Sequence, residues 1–122
     1  MATGALIAES VKVGAALDGV RLTVNKVFRV EAGDESVGQP RVWTFIEFDV
    51  PDDDADALAS ALSDALDPSL GWYCDFRSER ETFVVFAGRI FRYRRGDGSA
   101  RAEAEAHARS VGVPEPQLDW PE

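Results

Sequence analysis

Tyr73, Asp75 and Arg77 stand at every second position of the run WYCDFR. In an extended strand that spacing sends all three side chains to one face. A phenol, a carboxylate and a guanidinium in a row can bind a polar ligand or pass a proton between them. The same row is also what a solvated ladder of cross-strand charges looks like, and that is the simpler reading.

The row opens the stretch LGWYCDFRSERETFVVFAGRIFRYRR, residues 70–95, the densest in aromatic and β-branched residues. Residues 71–77 and 81–87 are β-rich runs separated by Ser78-Glu79-Arg80, and Ala87-Gly88 marks a second turn before RIFRY. Three consecutive antiparallel strands follow. If Glu81 opposes Ser78 and Arg89 opposes Phe86, Trp72, Cys74, Phe76, Phe83, Val85 and Ile90 share one face. Tyr73, Asp75, Arg77, Thr82, Val84, Phe86, Phe91 and Tyr93 share the other, with Arg89 at its rim. The first face is apolar enough to be the main core. The second is aromatic in the middle and charged at the edges. Left open to water, such a face marks a binding or subunit interface. Covered by a helix, it is a second core.

Other groupings are weaker. Cys74 and His107 are the single cysteine and the single histidine. A thiolate nucleophile needs a nearby base, but Cys74 alternates with Trp72 and Phe76, where a cysteine is a small buried hydrophobe. His107 lies on the inward stripe of a helix, where a lone histidine is a packing residue, with Glu103 one turn earlier as its available partner. Asp52, Asp54 and Asp56 suggest calcium, yet the sixth and twelfth positions from Asp52 hold Ala57 and Ser63 in place of glycine and glutamate. Arg89, Arg92, Arg94 and Arg95, interleaved with Phe91 and Tyr93, have the composition of a single-strand nucleic-acid surface. Acids of the Asp-rich segment offer Arg92 and Arg94 another use. No phosphate-loop, dinucleotide or nucleophile-elbow motif is present.

These side chains need a scaffold. Residues 5–11 suit an edge strand, with 1–4 an extended terminus. Residues 20–31 alternate until Lys26-Val27-Phe28, where a bulge would restore the phase. A polar loop over 32–41 leads to the strand VWTFIEFDV, residues 42–50, which pairs antiparallel with 20–31. One side of that strand carries Val42, Thr44, Ile46, Phe48 and Val50, the other Trp43, Phe45, Glu47 and Asp49. Pro51 ends it, Asp52 caps a helix, and Ala55, Leu58, Leu62, Ala65 and Leu66 form the helix's apolar stripe up to Pro68. Ser99 caps a second helix that ends at Gly112. The tail 112–122 is extended, docked by Leu118 and Trp120.

The fold class expected is α+β: one domain over 1–122, an antiparallel sheet of about five strands, and two helices packed mainly on one face. At 122 residues with three Trp, the chain can bury a core of its own. Net charge is −9, divided as 13 acids and 5 bases through Ser69 (−8), then 9 acids and 8 bases (−1). That balance disfavours nucleic acid and anionic membrane as partners. One cysteine excludes an internal disulfide, and neither a signal segment nor a transmembrane run is apparent, so the expected compartment is the cytoplasm. The arginine- and alanine-rich composition suggests a bacterial source. No metal or cofactor is expected. The functional expectation is a non-enzymatic protein-interaction module, with self-association as one form, using the face of Tyr73, Asp75, Arg77, Phe86, Arg89, Phe91 and Tyr93. The alternative is a small-molecule-binding protein or minor enzyme built on Tyr73, Asp75 and Arg77.

Overall fold

The computed structural model describes residues 1–32 and 38–120. Within them run β1 (Ala2–Ile7), β2 (Thr23–Glu31), β3 (Val42–Val50), α1 (Ala55–Ala65), β4 (Cys74–Arg77), β5 (Glu81–Phe86), β6 (Arg89–Arg94) and α2 (Gly98–Ser110). The six strands make one antiparallel sheet in the order β2-β3-β1-β4-β5-β6. The α+β class holds, with one strand beyond the expected five. Part of the loop over 32–41 lies outside the described residues.

β4, β5 and β6 form the meander that alternation requires. Arg77 faces Thr82 and Phe86 faces Arg89, the register read from the sequence. Gly88 turns the second hairpin at φ 74°, a left-handed conformation that a side chain disfavours. In β2 the register shifts between Val24 and Lys26, so the bulge falls just ahead of the residues that signalled it.

β1 is not an edge strand, and residues 2–4 are not a loose terminus. Ala2–Ile7 lies in the middle of the sheet, hydrogen-bonded to β3 on one side and β4 on the other. Its small residues concealed this role and also explain it. A Cβ on Gly4 would stand 2.5 Å from the Phe76 Cβ and 2.6 Å from the Asp75 carbonyl oxygen. Only a residue without a side chain lets β1 sit that close to β4.

The two helices occupy opposite faces of the sheet, not mainly one. α1 packs Leu58 and Leu62 onto the face of Phe48, Phe76, Phe83 and Val85. α2 packs Ala104 and Ala108, with Val113 and Trp120 of the tail, onto Val84, Phe86, Phe91 and Tyr93. β5 is apolar on both sides, so each side needs its own cover. The aspartates after Pro51 form a short 3-10 turn (Asp52–Asp54) that makes no side-chain cap bond, and α1 begins at Ala55. At α2 the cap is Asp97, not Ser99: its carboxylate accepts from the Ala100 amide at 3.1 Å.

Candidate functional site on the open half of the sheet

The aromatic plane expected at the surface is covered. Phe86, Phe91 and Tyr93 are buried beneath α2 and the tail. His107 of α2 stacks edge-on to Phe86 at 4.7 Å and lies 5.4 Å from Phe91. These rings are therefore a second core, and an exposed ring-bearing face does not exist on β5 and β6. Arg89 remains at the rim, exposed, with its guanidinium 4.8 Å from the Phe91 ring centre. Burial and then Arg89 hold the His107 imidazole below its ordinary pKa.

Cys74 faces the other core. Its thiol is fully buried, 3.5 Å from the Ala5 carbonyl oxygen, and burial drives its pKa upward. The sheet separates it from His107, so no thiolate–imidazole pair forms. Among the described residues no cluster of His, Cys, Asp and Glu could hold a metal ion. Arg92 is tied to Glu81 and, at 2.8 Å, to Asp56 of α1, so part of the arginine cluster serves the scaffold.

Tyr73, Asp75 and Arg77 do project to one face, the one α2 covers farther along the sheet. Their neighbours across β1, β3 and β2 on that face are Ala5, Ile7, Phe45, Phe28 and Lys26. Here the described part of the tail does not cover the sheet, and Ala5, Ile7, Phe28 and Phe45 are partly exposed. Phe28 and Phe45 stack in parallel, 5.1 Å between centres, with the Lys26 ammonium 4.6 Å above Phe28.

Between this half-face and the tail lies a cleft of about 240 Å³. Trp43, Phe45, Trp72 and Tyr73 supply its aromatic lining, and Pro116, Gln117 and Asp119 border it from the tail. Local structure fixes these walls. The Trp43 indole donates to the Pro40 carbonyl at 2.9 Å and meets Trp72 edge-on at 5.4 Å. The Gln39 amide donates to the Leu70 carbonyl at 2.9 Å, holding the approach to Trp72. The Tyr73 hydroxyl donates to the Gln117 carbonyl at 2.8 Å, and Trp120 stands edge-on to the Tyr73 ring.

Asp75 is the chemical centre of the cleft. Burial pushes its carboxyl up to about 6; Arg77 beside it pulls the other way, and Asp119 adds to the rise. Tyr73 is pushed up as well, by burial first and by Asp75 and Asp119 after it, so its phenol stays neutral and structural. Arg77 borders an adjoining cleft of about 340 Å³ with Thr3, Asn25, Glu47 and Asp75. The row thus divides: Tyr73 anchors the tail, Asp75 faces both clefts, and Arg77 lines only the second.

Trp43 and Phe45 were readable as one side of a strand, but nothing local said that this side meets Tyr73 and Asp75. That follows only from the central place of β1. Comparison of the chain with protein-family models, curated proteins and solved structures finds no match.

Proposed function

We propose that this acidic chain is a cytoplasmic, bacterial, non-enzymatic binding module that receives a protein partner on the uncovered half of its sheet. One observation carries this reading: the cleft beside Asp75 has an aromatic lining that continues into the Phe28–Phe45 stack, and among the described residues neither α2 nor the tail covers that surface. Solvated aromatic surface next to a few polar groups is what protein interfaces use as anchor points. The surface differs from the one expected on Phe86, Phe91 and Tyr93, and keeps Tyr73 and Asp75 from it. The net charge of −9 weighs against nucleic acid. The described helices are too short and too polar to cross a membrane.

Selection from a random peptide library on the immobilised chain tests this. Enriched peptides should bind wild type and lose affinity for Phe45→Asp, while an Ile90→Asp control on the opposite face retains them. No enrichment, or equal binding to both variants, would count against the surface. Sedimentation of wild type and Phe45→Asp tells a second copy of this chain from a different partner.

A second reading has one specific support. A carboxyl held near 6 in an aromatic cleft is also how small-ligand sites and acid–base sites are built. Thermal stabilisation by a small-molecule set, lost in Asp75→Asn, would favour it over a protein partner.

A further inference from the structure

The lining of the cleft is one-sided in charge. Asp75 on β4 and Asp119 on the tail both border it, and among the described residues no basic side chain does. Around the two carboxylates stand the partly exposed rings of Phe45 and Tyr73, with Trp43 and Trp72 buried behind them. Aromatic faces attract cations through their quadrupole, and more strongly where water is thin. A guanidinium meets both demands. Its plane stacks on rings and its fork gives a carboxylate two donors at once. An ammonium supplies the charge without the plane.

Building on the binding reading above, we infer that the cleft takes an arginine side chain presented by a partner protein, its guanidinium bonded to Asp75 and Asp119 and its methylenes laid against the rings. The volume, about 240 Å³, suits one long side chain and not a folded element. A protein-borne arginine fits better than free arginine because the cleft does not end in water. It runs on to the partly exposed Phe28–Phe45 stack, with Lys26 over the Phe28 ring, surface that a flanking peptide covers and a lone amino acid leaves bare.

The state of Asp75 agrees with a cationic occupant. Burial raises its carboxyl to about 6, and an arginine beside it would restore the charged form. Binding should therefore strengthen from pH 5 to pH 8. The other groups facing Asp75 are Asp119 from the tail, Glu47 from β3 across the adjoining cleft, Arg77 on its own strand, and the phenols of Tyr73 and, from β6, Tyr93. Asp119 and Glu47 favour the incoming cation, and Arg77 opposes it.

The test is a fluorescence titration of the full chain, reading the tryptophans that line the cleft. The probes are acetyl-Leu-Arg-Leu-amide, the same peptide with norleucine or with glutamate at its centre, and free arginine. The arginine peptide should bind about tenfold more tightly than the norleucine one, the scale of one charged hydrogen bond. Asp75→Asn and Asp119→Asn should each abolish that preference, and Glu115→Gln should leave it intact. If Asp75→Asn does not fold, Asp119→Asn decides alone. Equal binding of arginine and norleucine peptides would overturn the arginine assignment and leave the binding surface standing. Binding of none of the peptides would overturn both. Free arginine binding as tightly as the peptide would make this a small-ligand site, and tighter binding of the glutamate peptide would reverse the charge logic altogether.

Discussion

The hydroxyl of Tyr73 reaches the carbonyl of Gln117, 44 residues away in the chain, at 2.8 Å. That bond fastens the tail to the inner strand β4 and sets one wall of the cleft. Tyr73→Phe keeps the ring contacts and deletes the bond. It should cost about 1 kcal/mol in denaturant unfolding, the usual scale of one buried hydrogen bond. Amide exchange should quicken over 113–120 before it does so elsewhere; unchanged exchange there would mean that the packing of Val113 and Trp120 and the Arg101 bond to the Trp120 carbonyl hold the tail without it.

Asp75 makes stability depend on pH in an unusual direction. Its folded value of about 6 lies above the ordinary 3.8, so between these values the folded chain holds the proton more firmly than the unfolded one. The group's contribution therefore falls as pH rises through that window. Asp75→Asn removes the ionisation and should be more stable than wild type at pH 8, by about 1–3 kcal/mol. The gain should shrink at pH 5 and vanish below pH 4. Melting temperatures of both proteins at the three pH values check this. Taking the difference between variants cancels groups such as Glu81, which Arg92 holds below its usual range and which act in the opposite sense.

Gly4→Ala places a methyl 2.5 Å from the Phe76 Cβ, where backbone also stands within 2.6 Å. Neither neighbour is the free end of a side chain, so β1 and β4 must part. A loss of about 3 kcal/mol or more is expected, at the upper end for overpacking. An unfolding curve that matches wild type would show that the two strands can move apart without penalty.

Phe86→Ala should cost about 3–5 kcal/mol, because the ring is buried in the second core. Phe91→Asp should unfold the protein and not merely change its association state. Ile90→Asp is the contrast: Ile90 is 39% exposed on the other face, and its change should stay within about 0.5 kcal/mol. Equal effects at Phe91 and Ile90 would contradict the cover provided by α2.

Cys74 should resist thiol reagents in the native state and react fully in denaturant, since its sulfur is buried and its thiolate disfavoured. Rapid native labelling would show that the α1 face opens.

Much of the scaffold was legible because it is local. Alternation fixed the meander to the residue, from Arg77 facing Thr82 to Phe86 facing Arg89. Proline placed the end of β3, and the faltering phase near Lys26 announced a bulge. Two things were not local. Ala2, Gly4 and Ala5 have weak strand propensity, so nothing in their identities spoke for the sheet's centre; only the fit against Phe76 does. And a face with Phe86, Phe91 and Tyr93 has the same composition whether water or a helix lies over it. The small side chains of α2, Ala104 and Ala108, were the available sign of a close-packed cover. The candidate site was half visible: Tyr73 and Asp75 were named, but their aromatic company came from β3 through a strand whose position could not be read.

The central place of β1 also orders events in time. On the ribosome this strand is made before either of its neighbours, and its Gly4 must wait for Phe76 to leave the exit tunnel. Until then β1 can pair only with β3, and its other edge stays open. Joining β1 to β4 brings Gly4 beside Phe76 across most of the intervening chain, the kind of long-range closure that makes folding slow.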